Sequence, residues 1–246
     1  MSDRHFGLIL PDNWWRIPLV NVEARDKAIM RMIDSQIPRR DDLARIRHEF
    51  KDEIRQQCEH SAKLGGIVTA MMFQKIDDVT LRANMTCYDV SQWLPLPPGV
   101  DQIRILARWV GDKDLEDSRP EMDIQVPPRT DDDEKISIDI PENLPEAESS
   151  ESPLDEAPWV KVEDFDVLAY RRDIVAPASD YYGEAGTKYE QLRVSYISAV
   201  PDFGLVQSAF ATPFPQGRTD WLKLFDAIVA SYRVPGSTPT SNTMKD

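Results

Sequence analysis

The sequence predicts an α+β fold: a single twisted antiparallel sheet packed by two N-terminal helices and one C-terminal helix. Three observations predict it. Apolar residues recur at helical spacing near both ends of the chain, whereas the segments between them alternate with a period of two. No helical pattern separates the successive long strand patterns, so parallel βαβ units are excluded. A long acidic stretch, 111–157, interrupts the strands and reads as a loop insertion into one fold, not a linker between two.

The elements follow in order. "FGLIL" and "WWRIPL" flank Pro11, Asp12 and Asn13, three turn formers, and predict two short strands. In the second, Trp15, Ile17 and Leu19 share an apolar side. Trp14 falls on the side of Arg16 and Pro18, which makes it a candidate contact residue. Asn21 is a helix cap ahead of Ala24, Ala28, Ile29, Met32, Ile33 and Ile37. Asp41 or Asp42 caps a second helix whose stripe is Leu43, Ile46, Phe50, Ile54, Cys58 and Leu64, and Gly65-Gly66 ends it in a left-handed cap.

After the glycines the period changes. "GIVTAMMFQKI" and "VTLRANMTCY" flank Asp77-Asp78, a hairpin signature. In the second arm Val79, Leu81, Ala83, Met85 and Cys87 alternate with Thr80, Arg82, Asn84 and Thr86, which predicts one buried and one wet face. "WLPLPPG" is an extended connector, and "QIRILARWV" reads as a strand. Three long strands are predicted in "WVKVEDFDVLAYRRDI", "KYEQLRVSYISAV" and "LVQSAFATPF". The last helix, "TDWLKLFDAIVASY", is capped at Thr219 and aligns Trp221, Leu224, Phe225, Ile228 and Tyr232. One domain over 1–234 and a flexible tail over 235–246 complete the expected organisation.

Charge is distributed unevenly. The chain carries −14, and 17 acids against four bases between 111 and 156 supply −13 of it. That stretch holds six prolines and no aromatic residue, the composition of a disordered excursion. Asp131, Asp132, Asp133 and Glu134 form its densest run and are a candidate contact for a basic partner. Nothing forms a basic stripe, so nucleic acid is not an expected ligand. No run of about 18 apolar residues occurs, so no membrane span is expected. The N-terminal apolar run of five residues is too short for a signal peptide. Two cysteines, Cys58 and Cys87, make no disulfide framework, and a cytoplasmic location is expected.

Catalytic and metal motifs find little support. His48 and His60 lie twelve residues apart on the long helix and His5 is at the terminus, with no HExxH or CxxC beside them, so no metal or cofactor is expected. "PDFG" carries the kinase tripeptide without its companion motifs, and Gly204 marks it as a hairpin turn. "RTDDDEK" lacks the spacing and glycine of a calcium loop. "SDYYGEAGTKYEQ" is different: Tyr181, Tyr182 and Tyr189 gather around two glycines between long strands. Such tyrosines either cover a sheet edge or form a contact surface. The same two roles stay open for Trp93 and Trp109.

The opening F-x-L-x-L-P-x-x-W and the closing WLKLFDAIVASY resemble the PsbP-like layout shared with the Mog-type nuclear-import factors and several bacterial lipoproteins. The chain is also similar to uncharacterised actinobacterial cytoplasmic proteins. The resemblance covers roughly the first 20 and last 75 residues; the paired helices and the acidic excursion depart from it. It implies a binding or assembly factor and carries over no functional residue. The sequence reading is therefore a non-enzymatic binding or adaptor protein acting through protein–protein contacts, of service to assembly or secretion. The alternatives are an enzyme assembled from dispersed carboxylates and tyrosines, and a structural homo-oligomer subunit.

Overall fold

The computed structural model describes residues 6–77, 79–90, 106, 110–111, 154, 157–162, 167–177 and 189–234. Its elements are β1 (Trp14–Pro18), α1 (Val22–Gln36), α2 (Ala44–Lys63), β2 (Gly66–Ile76), β3 (Val79–Asp89), β4 (Val160–Val162), β5 (Leu168–Pro177), β6 (Glu190–Val200), β7 (Gly204–Thr212) and α3 (Arg218–Ala230). The strands form one seven-stranded sheet in the order β1-β2-β3-β7-β6-β5-β4, antiparallel throughout. The predicted α+β class is the observed one. Of the acidic insertion 111–157 only Gly111, Leu154 and Ala157 are described, and the tail 235–246 lies outside the described residues.

Local chemistry sets the turns. Asp77, at φ 52°, follows Ile76, which pairs with Val79 across the two-residue hairpin turn. Asp202 and Gly204 take φ 61° and 135° in the β6–β7 turn, the PDFG segment. Asn21 Oδ1 accepts from the Ala24 N–H at 2.9 Å and starts α1 as predicted. Gly65, at φ 81°, ends α2. Gly66 follows it for a separate reason: a Cβ there would stand 2.6 Å from the Ser61 carbonyl and 2.7 Å from Leu19 Cδ1.

Alternation sends the strand residues into cores on both sides of the sheet. On one face Val68, Ala70, Met72, Ala83, Met85, Cys87, Val194, Tyr196 and Phe210 pack under α3. Phe225 of α3 stacks on Phe210 with centroids 4.4 Å apart, and Trp221 stacks on Phe225. Each such ring pair contributes roughly 0.5–1.5 kcal/mol beyond its buried area. Polar ties fix the helix: Tyr196 Oη donates to Asp226 at 2.7 Å, and Arg171 reaches the same carboxylate at 2.6 Å. Beyond α3, the Tyr232 hydroxyl, Ser208 Oγ and Cys87 Sγ close a buried hydrogen-bonded triangle.

The opposite face is covered in two pieces. Ile17, Leu19 and Met71 pack against Ile29, Met32 and Ile33 of α1 and against Ile54 and Cys58 of α2. Farther along, Leu106 packs on Tyr170, Ile197, Ala199 and Leu205. Between these two covers no described residue lies over the sheet.

Several expectations need correction. Residues 6–10 do not pair with β1; Gly7 bridges Arg233 instead, with bonds of 2.8 and 3.0 Å. Phe6 there packs edge-on to Tyr232 and so closes the α3 core. Neither Asp41 nor Asp42 caps α2, because Asp41–Leu43 is a 3-10 turn and Leu43 takes the cap position. Thr219 is likewise inside α3, which starts from Gly217 after a 3-10 turn at Pro215–Gly217. The expected strand at 102–110 is helical at Leu106 and Val110, whose spacing of four suits one helix face as well as a strand. The long strand expected from Trp159 is two, β4 and β5, paired Val162 to Ala169. Replacing Gly66→Ala is expected to destabilise by about 1–3 kcal/mol, since the backbone carbonyl of Ser61 has no room to give. Urea unfolding measures this, and an unchanged midpoint would contradict the packing described.

Candidate functional site

The open part of the second face is a groove, and α2 is its wall. The wall is held by ion pairs between the two N-terminal helices. Arg47 of α2 donates to the Asp34 carboxylate and to the Ile37 carbonyl at the end of α1. Arg39 holds Asp34 through two bonds of 2.6 and 3.1 Å. These guanidiniums pull the Asp34 carboxyl down to about 2. Arg25, buried, reaches Glu59 at 3.2 Å, and Arg55 reaches Asp26 at 2.8 Å. The α1–α2 pair therefore sits over β1 and β2 as a unit and goes no farther across the sheet.

The groove runs beside α2 in two joined parts. The first has a volume of about 530 Å³; Phe50, Ile54, Met71 and Phe73 give it an apolar wall. Its floor and far side are polar, formed by Arg82 and Asn84 of β3 and by Tyr189 and Gln191 at the start of β6. The second part, about 540 Å³, continues toward the end of α2 past Gln57, His60, Thr69 and Thr86. Gln57, Met71 and Asn84 belong to both. Phe50 meets Phe73 edge-on at 6.2 Å, which closes the apolar corner. Glu53 and Arg82 are exposed on opposite sides, and among the described residues neither makes an ion pair.

Such a lining offers flat apolar surface beside amide groups that both donate and accept. It suits a ligand that is itself half apolar and half amide. Among the described residues no three His, Cys, Asp or Glu side chains gather as a metal site. No helix among them is long and apolar enough to cross a membrane.

The candidate residues separate. Tyr189 lines the groove, half-buried. Trp14 does not lie on a surface: it is 7% exposed and packs in the α3 core, paired across the sheet with Met72. Its neighbour Trp15, expected in the core, is half-buried against the α1–α2 core, so the two rings serve opposite faces. Tyr181, Tyr182, Asp131, Asp132, Asp133 and Glu134 lie outside the described residues, as do Trp93 and Trp109. Phe50, Phe73, Arg82, Asn84 and Gln191 were not singled out in the sequence. Their signal was present: Arg82 and Asn84 stand on the wet side of the alternating β3 pattern, and Phe50 on the helical stripe.

Both cysteines are buried and unpaired. Burial pushes each thiol up to about 11. The folded chain then keeps two protons that the unfolded chain releases above its ordinary thiol value of 9.0. Stability is present below pH 9 and falls as pH rises toward 11. Burial raises Tyr196 and Tyr232 as well, in the same direction. A chromogenic disulfide reagent at neutral pH should find no fast-reacting thiol until denaturant is added, and rapid labelling of either cysteine in the native chain would contradict the burial.

Comparison with family models, with curated proteins and with solved structures finds no match to this chain.

Proposed function

We propose that this protein is a binding or adaptor module that receives a protein partner in the groove along α2, without catalysing a reaction. One observation carries the reading. A cavity of about 530 Å³ lies on the sheet face beside α2, and its lining joins an apolar corner to amides and to Glu53 and Arg82, neither of which makes an ion pair among the described residues. Protein contact surfaces combine these features: aromatic anchors, satisfied polar groups at the margin, and charges that orient the encounter.

The charge distribution supplies the second support. The segment 111–156 carries −13. A field of that sign raises the encounter rate of a basic partner over roughly a Debye length of 10 Å and weakens as salt rises. The adaptor role implied by the PsbP-like resemblance agrees with this reading. Two unpaired thiols suit a reducing compartment, the cytoplasm.

The test is affinity capture from the native cell with the wild-type chain and with an Arg82→Glu, Asn84→Ala variant, at low and at high salt. Both side chains face the groove, so the variant is expected to fold normally and lose at least about tenfold in affinity for the captured partner, some 1.4 kcal/mol. An identical captured set at identical salt dependence would sink the reading.

A further inference from the structure

β7 stops before its neighbour does. Its last pair with β3 joins Asn84 to Ala211, yet β3 already runs from Val79. From Val79 to Ala83, β3 has β2 on one side and, among the described residues, no strand on the other. Two contacts settle which backbone groups face that empty line. Ile76 and Val79 close the two-residue turn, so the odd-numbered residues of β3 direct their N–H and C=O groups at β2. From the other side Thr212 Oγ1 donates to the Arg82 carbonyl at 2.8 Å, so the even-numbered residues face the line of β7. The Thr80 N–H and C=O and the Arg82 N–H point along it and meet no partner among the described residues.

The chain's own continuation is unsuited to fill the line. Residues 213 and 215 are both proline. In the register of β7 these are the two positions whose N–H groups would meet Arg82 and Thr80, and proline has none. After Thr212 the chain turns aside into Pro215–Gly217. The groove opens at the same place, between Arg82, Ala83, Thr212 and Pro213 on one side and Tyr189 and Gln191 on the other.

We propose that the occupant of the groove is an extended segment of the partner, which continues the line of β7 and pairs with β3 at Arg82 and Thr80; this rests on the binding reading above. In that register the residues opposite Arg82 and Thr80 direct their side chains toward α2. Charge selects them: an acidic residue meets Arg82 and a basic one meets Glu53, neither of which has an ion-pair partner among the described residues. Apolar residues between them face the other way. The fitting segment thus alternates apolar and charged side chains of both signs.

Amide hydrogen exchange on the full chain tests this, with acetyl-Val-Glu-Val-Lys-Val-amide as probe. In the chain alone, Thr80 and Arg82 are expected to exchange at least about tenfold faster than Leu81 and Ala83, whose amides point at β2. Saturating probe is expected to slow Thr80 and Arg82 by about tenfold or more, while the same peptide N-methylated at Glu and Lys does not. Slow exchange at Thr80 and Arg82 before any peptide is added would overturn the proposal, as would a probe that leaves them fast at millimolar concentration. Equal binding of the N-methylated peptide also overturns the strand pairing, but it leaves the groove standing as a binding site.

Discussion

The two-residue turn at Asp77 sets Ile76 opposite Val79, and that pairing decides which side of the sheet each residue of β3 faces against β2. In β2 the residues from Val68 to Met72 are all buried, so the strand has a core on each side and no wet side to spare. Val68, Ala70 and Met72 feed the core under α3; Met71 feeds the core under α1 and α2. A slip of one residue would exchange the two sets and put the Thr69 hydroxyl, which now bonds Met85 carbonyl and Thr86 at 2.7 and 3.0 Å, into the aromatic cluster. Burial of each large side chain contributes roughly 1.5–3 kcal/mol, so the wrong register loses several such contributions at once. Both cores and the groove depend on this one hairpin.

The groove follows from a mismatch of widths. Seven strands make a sheet broader than the α1–α2 pair that lies on one end of its face. α3 covers the other face with help from residues 6–10, which cross over to bridge Arg233. Beside α2, Arg82, Asn84 and Thr86 of β3 and Gln191 of β6 line the groove and have no cover among the described residues. Those side chains are polar, and their amides and charges tolerate water while remaining able to exchange it for a ligand. A hydrophobic floor of that extent would have been an aggregation hazard.

The parts of the fold legible in the sequence were those governed by neighbours in the chain. Asn21, Asp77, Gly65 and Gly204 act within a few residues of themselves, and each stands where its local chemistry placed it. The alternation of Ala83, Met85 and Cys87 against Arg82, Asn84 and Thr86 was legible because β3 does have one polar side. Trp14 was misplaced because β1, like β2, has apolar clusters on both sides, and alternation cannot then tell inside from outside. Residues 6–10 look like a strand but find their partner 226 positions away, at Arg233, which no local pattern announces. Leu106 and Val110 satisfy both periods, and only their packing on Ile197 and Leu205 decides for the helix.

Of the groove, single residues were legible and the assembly was not. Tyr189 stood out by composition, and Arg82 and Asn84 by their side of β3. Their meeting with Phe50 depends on where α2 comes to rest, and that is fixed by Arg47 on Asp34, Arg55 on Asp26 and Arg25 on Glu59.

The openness of this floor is what the account depends on, and a single thiol tests it. Asn84→Cys places a sulfur at the centre of the groove, next in sequence to Met85, which is wholly buried on the opposite face. The variant is expected to gain one thiol that labels in the native state within about tenfold of the rate of a free surface thiol, while the two native cysteines stay protected. If the new thiol labels only on unfolding, the face beside α2 is closed and the account fails.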